Sequence, residues 1–375
     1  MPPPPLRKPL LPDHYSIWCE PPDESGDEVL HIVSAQRSLK LKGHSFREFH
    51  RRVLPLLDGR HTFEEIHRET ADLFRLEDLA EALTLLREQG VLVEGDEPDL
   101  SARLAPQLNL FREMTLSAAD TQARLAAATV AVVGLGGAGA ATALALAAAG
   151  VGTLRCIDAL PIAVTDVYLS PFFTLEEVGR GRAISLAGKV RTSAPQVQVS
   201  CNEQALESEA DVRAAIAGAS FVVCCLDAAQ SNLAYKLNRV CLADGIRWIS
   251  CSLDGAEVTV GPTVHPGDSA CYLCYRMRLV ACAGNPEDAF ALEKYLDRRK
   301  RDDSGRRENL VFGAGLAANL LGVEVLKELV GLGEPSLVGR ILTVGLTDLN
   351  VQKHTVLRKP WCPACFPKGE ADHGG

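Results

Sequence analysis

The sequence has few aromatic residues, no long apolar run and no excess of positive charge. Aromatic side chains make up only 5% of its 375 residues, against 47% hydrophobic residues overall, so small aliphatic side chains must build its core. That composition favours a buried parallel sheet flanked by helices over an all-β sandwich. The length suits two domains, because most domains contain about 100–200 residues.

The sequence argues against both membrane and nucleic-acid partners. Its longest apolar candidate, Ala138–Val151, is shorter than the roughly 20 residues that a membrane-spanning helix needs. The proline-rich start, Met1–Pro5, leads to basic residues with no apolar segment behind them, so we expect no secretory signal and a cytoplasmic protein. A net charge of −9 argues against a protein whose main work is to bind a phosphate backbone.

The first hundred residues open with a proline-rich stretch, 1–25, that we expect to be disordered. Alternating apolar and polar residues then predict two short strands, Glu28–Ala35 and Ser38–Gly43. Three helices and a closing strand are predicted next, beginning near Ser45, at a capping box of Thr62 and Glu65, at Leu76 and at Val91. The order of these elements is typical of a winged helix-turn-helix.

We therefore predict a small α+β winged helix-turn-helix domain over 26–94 and a polar linker over 95–106. DNA binding is the usual function of that shape. Between Gly26 and Asp96, however, 14 Asp and Glu residues outnumber 10 Lys and Arg residues, and the last helix is acidic. A helix that faces phosphates should be basic, so DNA binding becomes a minor possibility.

The same pattern resembles the PqqD-like domains, which bind the leader segment of peptides destined for modification. The matching features include the strand Ser38–Gly43, Leu56–Gly59 and Phe63–Ile66. The resemblance implies that a leader peptide adds a strand to the small sheet and lies against the third helix. The residues expected to contact the leader are Leu39, Lys40, Leu41, Lys42, Leu79 and Leu83.

A strand, a glycine-rich loop and a helix follow the linker. Thr129–Val133 reads as a buried strand, and a second strand, Thr153–Ile157, ends on Asp158. Between them lies a G-x-G-x-x-G loop, whose glycines let N–H groups approach a phosphate, while the acid suits ribose hydroxyls. A Rossmann-like unit is predicted, with a nucleotide held by Gly134, Gly136, Gly139 and Asp158. The alternative, that the glycines serve only strand–helix packing, stays open.

Four of the 12 cysteines occur as two C-x-x-C pairs, Cys271/Cys274 and Cys362/Cys365. Each pair places two thiolates on one tight turn, and two such turns complete a tetrahedral site, the geometry of structural zinc. Redox-active pairs or unrelated buried thiols are the alternatives. Because the protein would fill all four positions, the predicted Zn²⁺ is structural and not catalytic.

The glycine loop, the intervening strands and the late C-x-x-C pairs together resemble the ThiF/MoeB/HesA family, relatives of the ubiquitin-activating enzymes. The resemblance covers 107–366 and includes Gln122–Leu125 and Ala149–Leu154. It implies an α/β fold with a Rossmann-like ThiF-type sheet and, in active members, adenylation of a C-terminal carboxylate with ATP and Mg²⁺. Asp227 matches the family's aspartate near magnesium and is the one candidate catalytic residue. A flexible tail is expected over 367–375.

The sequence departs from the family where phosphates should bind. The family's arginine falls on Leu169, its asparagine on Asp166 and its lysine on Arg182. Phosphoryl-transfer sites work mainly by electrostatic stabilisation, so losing an arginine and gaining an aspartate argues against ATP use. Arg182 remains a candidate nucleotide-binding residue that would offset part of that loss.

A degenerate adenylating domain behind a leader-binding domain is similar to the ThiF-like partner of azoline-forming cyclodehydratases. In that family a separate YcaO-type enzyme uses ATP to make thiazoline or oxazoline rings in a precursor peptide of the bacteriocin type, and the ThiF-like partner binds the leader and activates the enzyme. The resemblance to the ThiF family also implies a homodimer. The alternative is an active ATP-dependent adenylyltransferase that acts on a peptide carboxylate or amide.

Overall fold

The computed structural model describes residues 6–95, 102–114, 117–226, 231–298 and 310–366. The chain divides into two compact units, 1–122 and 123–375. Asp227 and the predicted tail lie outside the described residues. Within the described ranges, no helix has both the length and the apolarity that crossing a bilayer requires.

The first unit contains short strands followed by short helices. Its strands are β1 (Pro9–Leu10), β2 (Ser16–Glu20), β3 (Glu28–Val33), β4 (Ser38–Gly43) and β5 (Val93–Glu94). Its helices are α1 (Phe46–Glu48), a π-helical turn (Phe49–Val53), a 3-10 turn (Leu54–Leu56), α2 (Phe63–Thr70), α3 (Leu76–Glu88), a 3-10 turn (Ala102–Leu104) and α4 (Ala105–Met114). Helix α5 (Ala118–Ala127) spans the boundary between the units.

Disorder was the wrong prediction for residues 6–25, because two strands lie there. Strand β2 pairs antiparallel with β3, from Ser16 opposite Val33 to Glu20 opposite Val29. Its side chains alternate, with Ile17 packed against the core of the unit and Trp18 exposed. The proline-rich surroundings obscured this five-residue alternation, which only pairing with β3 stabilises.

The small sheet has the order β2–β3–β4, and every neighbouring pair is antiparallel. The predicted closing strand is shorter than expected and does not join this sheet, because β5 pairs with β1 instead. From β3 to β5 the elements follow the predicted order of two strands, three helical segments and a strand. The structure adds β2 to the small sheet and leaves the closing strand outside it, so a winged helix-turn-helix is not shown. The capping box of α2 is confirmed: Thr62 Oγ1 accepts the Glu65 N–H, and Glu65 Oε2 accepts the Thr62 N–H.

The predicted linker over 95–106 is partly helical, since α4 begins at Ala105. Helix α4 belongs to the first unit because Glu113, near its end, is almost fully buried among groups from the N-terminal segments. The Glu113 carboxylate lies 2.6 Å from His14 Nε2 and 3.3 Å from Arg37 Nε. The boundary between the units lies at residue 122, which is beyond the predicted linker over 95–106.

The second unit alternates strands and helices. Its strands are β6 (Thr129–Val133), β7 (Thr153–Ile157), β8 (Gln198–Asn202), β9 (Phe221–Leu226), β10 (Trp248–Asp254), β11 (Glu257–Val264), β12 (Arg340–Gly345) and β13 (Val351–Thr355). Its helices are α6 (Gly137–Ala149), α7 (Val164–Leu169), a 3-10 turn (Leu175–Glu177), α8 (Arg182–Ser193), α9 (Glu209–Ile216), α10 (Ser231–Asp244), α11 (Tyr272–Ala281), α12 (Pro286–Arg298) and α13 (Val311–Val330).

The strands of the second unit form one eight-stranded sheet of order β13–β12–β11–β10–β9–β6–β7–β8. Strands β8, β7, β6, β9 and β10 are parallel, and the remaining three are antiparallel. The chain leaves β6 toward β7 and later returns to β9 on the other side of β6. Such a switch in strand order leaves a crevice at the carboxyl ends of β6 and β9, where α/β folds bind ligands.

Helices cover both faces of this sheet. Helices α6, α8 and α13 contribute to the core on one face, and α9, α10 and α11 contribute to the core on the other. Small side chains let α6 pack closely against α13, with Ala140, Ala143, Ala314 and Ala317 all buried. The predicted Rossmann-like α/β sheet is confirmed.

Candidate functional site

The glycine loop joins β6 to α6 at the switch in strand order. Gly134 has a φ of +84°, and a Cβ there would overlap the carbonyl oxygen of Cys225 on β9. A Cβ on Gly139 would in turn overlap the carbonyl oxygen of Gly134. Gly136 is buried and precedes the first residue of α6. Close packing of the loop against the sheet is therefore a sufficient reason for glycine at positions 134 and 139, whether or not a nucleotide binds there.

Asp158 follows β7 and is bonded to the glycine loop. Its Oδ2 accepts the Leu135 N–H at 2.8 Å, and its Oδ1 accepts the Leu160 N–H at 2.8 Å. The side chain is only 7% exposed. The carboxylate predicted to bind ribose thus lies beside the loop, but backbone donors already occupy part of its hydrogen-bonding capacity.

Arg182, the first residue of α8, holds two carboxylates together. Its Nε donates to Asp166 Oδ2 at 2.8 Å and its Nη2 donates to Asp166 Oδ1 at 2.7 Å, a bidentate pair. Its Nη1 donates to Asp158 Oδ2 at 3.2 Å. The side chains of Arg182 and Asp166 are 5% and 4% exposed. We call Asp158, Arg182 and Asp166 the buried triad; its formal charges sum to −1.

The residues beside the loop fit a nucleotide only in part. The glycine loop, the start of α6 and Asp158 are of the kind that binds ribose and phosphate. Polyphosphate needs cations, and the resemblance indicated two positions for them. Neither described residue supplies an available positive charge, because Leu169 is apolar and Arg182 is bonded to two carboxylates. Arg182 is therefore placed near the predicted site, but its charge is neutralised.

The sequence alone did not reveal that Asp166 and Arg182 form a pair. The family comparison treated them as two separate replacements, an asparagine by an aspartate and a lysine by an arginine. Together the two changes create a bidentate ion pair, because a guanidinium matches the geometry of a carboxylate. A new carboxylate at position 166, together with a guanidinium at position 182 that can bind it at two atoms, was the signal that could have shown it.

The predicted peptide-binding residues fall into two groups. Lys40 and Lys42 are exposed on β4, and Leu39 and Leu41 point toward the core. Lys42 is paired, since its Nζ lies 2.9 Å from Asp23 Oδ2 and 3.3 Å from Asp27 Oδ2.

Leu79 and Leu83 are not a contact surface. Both are buried in the core of the first unit, where α3 packs against the sheet. Their helical spacing is that of core residues, and a peptide cannot reach them without opening the unit. The exposed leucines of the same helix are Leu76 and Leu85, which were not among the residues predicted to contact the leader.

The four predicted metal-ligating cysteines come together. Cys271 precedes α11 and Cys274 lies in its first turn, while Cys362 and Cys365 lie in a turn after β13. All four sulfurs lie within 4.8 Å of one another. The distances from Cys271 Sγ to Cys274 Sγ and Cys362 Sγ are 3.9 and 3.8 Å, and Cys274 Sγ lies 3.6 Å from Cys365 Sγ.

These distances suit a tetrahedral metal centre. Zinc–sulfur bonds of about 2.3 Å at tetrahedral angles place sulfurs about 3.8 Å apart. The Cys271 thiol donates to Cys274 Sγ, which lowers the pKa of Cys274 and raises the pKa of Cys271. The Lys359 N–H also donates to Cys274 Sγ at 3.3 Å. The cluster could hold one metal ion.

Comparisons with known proteins agree with this architecture. A sulfur carrier protein adenylyltransferase of Thermus thermophilus is 27% identical over 248 residues, which span 65% of this chain and 84% of that protein. The sulfur carrier protein ThiS adenylyltransferase of Escherichia coli is 31% identical over 159 residues, 42% of this chain and 61% of that one.

Solved structures with a similar fold include E. coli MccB in complex with ATP, at a TM-score of 0.69 and 17% identity, covering 96% of this chain and 99% of that one. The microcin C7 biosynthetic enzyme MccB bound to N-formylated MccA has the same TM-score, identity and coverage. PaaA is similar at a TM-score of 0.65 and 19% identity, covering 92% of this chain and all of that one.

A family profile provides the assignment. The profile of the ThiF family matches residues 105–364, which include the glycine loop, the buried triad and three of the four clustered cysteines. With the parallel sheet, the switch in strand order and the cysteine cluster in place, this chain belongs to the ThiF family.

Proposed function

We propose that this protein binds the leader of a precursor peptide and activates a cyclodehydratase that makes thiazoline or oxazoline rings in a bacteriocin-type peptide. In this proposal the first unit captures the leader, and a separate YcaO-type enzyme consumes ATP. The protein is then a binding and activating subunit. Its α/β second unit is a ThiF domain whose nucleotide chemistry has been lost.

The edge of the small sheet is the observation that carries the proposal. Among the described strands, β4 pairs only with β3, so its other side can accept an added strand. The Ser34 N–H donates to the Arg37 carbonyl at 2.8 Å, which makes these two residues a hydrogen-bonded pair. Because hydrogen-bonded and non-bonded pairs alternate along an antiparallel ladder, the N–H groups of Lys40 and Lys42 point away from β3. They are available to a peptide strand.

Two further observations support this proposal, one for a peptide partner and one for a role without nucleotidyl transfer. MccB, which shares the fold across nearly the whole chain, has been solved in complex with MccA. The described residues at the nucleotide loop, in which Arg182 is bonded to Asp166 and Leu169 replaces an arginine, favour a role in which this chain does not itself transfer a nucleotidyl group.

An ATP-dependent adenylyltransferase is the second candidate. The intact glycine loop and Asp158 favour it, as do the names of the curated relatives and the complex of MccB with ATP. The two candidate functions are distinguished by measuring ATP consumption and pyrophosphate release by the purified protein in the presence of candidate precursor peptides and Mg-ATP. An adenylyltransferase transfers AMP from ATP to the peptide and releases pyrophosphate with no other protein present. With an activating subunit, ATP is consumed only when the YcaO-type enzyme is added.

We expect Lys40→Pro to weaken leader binding about tenfold or more. Proline removes one outward N–H, which leaves a peptide carbonyl without its donor, while the pairing with β3 does not use that N–H. Edge strands tolerate proline at such a position. The measurement is fluorescence polarisation with fluorescein-labelled leaders of candidate precursor peptides and the full-length protein.

Lys40→Ala is the matched control, because it removes the same charge and keeps the N–H. We expect its effect to be small and largest at low salt, since an exposed charge acts mainly by steering. Equal losses for the two variants would contradict strand addition at this edge. Leu41 is unsuited to this test because its N–H belongs to the ladder with Leu30.

We also propose that the cysteine cluster holds a structural Zn²⁺. A separate proposal is that two copies of the chain associate as a dimer. Within the second unit, Val164, Tyr168, Leu175 and Ile184 expose large apolar side chains in one stretch of the chain. Several large apolar side chains exposed close together in the chain are typical of protein interfaces. Light scattering of the purified protein tests the dimer, and a monomer at micromolar concentration would exclude it.

A further inference from the structure

The buried triad lies against the loop where a nucleotide phosphate would bind. Asp158 Oδ2 accepts both the Leu135 N–H of the loop and the Arg182 Nη1–H. Helix α7, which carries Asp166, adjoins the same loop, because a Cβ on Gly137 would lie 2.7 Å from the Leu169 carbonyl oxygen. A change in the triad therefore acts directly on the nucleotide loop.

Asp166 determines where the charge of Arg182 goes. Both of its oxygens bind the guanidinium, and its Oδ2 also accepts the Ala163 N–H at 2.8 Å, which fixes the carboxylate at the start of α7. A planar guanidinium engaged on its Nε and Nη2 edge presents little of that edge to another anion. With Asp158 on Nη1, the arginine charge is compensated within the protein.

We propose that Asp166 is the residue that keeps nucleotides out of this ThiF domain, by capturing Arg182 in the buried pair. The cation required for polyphosphate is thus present in the chain but bound to a carboxylate. This inference concerns the nucleotide loop alone and stands or falls independently of leader binding. It predicts that one neutral substitution increases nucleotide affinity.

Asp166→Asn is the test, because it keeps the size of the side chain, removes its charge and sets an amide against the guanidinium. The charge of the three side chains rises from −1 to zero, and Arg182 is released toward the loop. Isothermal titration calorimetry of the full-length protein with Mg-ATP should show affinity on the order of tenfold higher than that of the wild type.

Two controls distinguish a gain in Mg-ATP affinity caused by releasing Arg182 from a general effect of mutation. Asp166→Asn/Arg182→Ala restores a net charge of −1 and removes the cation, so the gain should disappear. Asp211→Asn makes the same chemical change at the start of α9, where Asp211 accepts the Ser208 N–H at 2.8 Å, and among the described residues no arginine pairs with it. We expect Asp211→Asn to bind Mg-ATP as the wild type does.

Unchanged or weaker binding by Asp166→Asn would overturn the proposal, as would a gain that persists in the double variant. Thermal melting shows whether each variant is folded. If Asp166→Asn does not melt cooperatively, Arg182→Lys is the deciding variant, because an ammonium keeps the charge but cannot form the bidentate pair. It should bind Mg-ATP more tightly than the wild type, and unchanged or weaker binding would overturn the proposal. Leader binding that is equal in Lys40→Pro and Lys40→Ala would count against the proposed function and would not affect this inference, which the Mg-ATP affinity of the Asp166 variants alone decides.

Discussion

Replacing Cys271 with serine is expected to abolish metal binding and to lower the melting temperature by at least about 10 °C. A structural zinc in a four-cysteine site contributes on the order of 10 kcal/mol or more of apparent binding free energy, which is also folding free energy. The cluster joins α11 to the turn after β13, so its loss releases the end of the second unit from the sheet. Metal analysis by mass spectrometry and thermal melting are the measurements.

Cys282→Ser is the matched control, since Cys282 is exposed at the end of the same helix and outside the cluster. It should keep one zinc per chain and the melting temperature of the wild type. Well-folded wild-type protein without zinc would exclude the zinc assignment. Zinc retained in Cys271→Ser at full stoichiometry would show that the four sulfurs do not act as one site.

Replacing Gly139 with alanine should destabilise the protein by about 3 kcal/mol or more, whether or not a nucleotide binds. The added methyl would overlap the Gly134 carbonyl oxygen and lie 3.3 Å from the Cys225 Cβ. A backbone carbonyl and a Cβ move only with the main chain, so they leave little room to adjust. Urea unfolding, followed by circular dichroism, measures the change in free energy.

Gly188→Ala provides the comparison because Gly188 lies in α8, where an added methyl would meet no described atom within 4 Å beyond the backbone of the helix itself. There we expect a gain of up to about 1 kcal/mol, since alanine is the better helix former. A Gly139→Ala protein as stable as the wild type would argue against the packing role of the loop and leave ligand binding as the reason for its glycines.

The sequence by itself determined the features that depend on short-range patterns. The apolar runs Thr129–Val133 and Thr153–Ile157 predicted two strands, and the structure pairs them in parallel in the sheet. The capping box at Thr62 and Glu65 was readable because its two partners are three residues apart. The C-x-x-C spacing identified all four cysteines because each pair forms one local turn.

Tertiary structure alone decided which distant residues face each other. Strand β2 was missed because five residues form a stable strand only when β3 lies beside them. Leu79 was assigned to a surface because its helical spacing does not say which partner covers the stripe. From the sequence, Asp166 and Arg182 were interpreted as two separate replacements, whereas the fold brings Arg182 Nη2 to 2.7 Å from Asp166 Oδ1. Hydrogen bonds and ion pairs require contact, and contact between residues far apart in the chain is set by packing of the whole sheet.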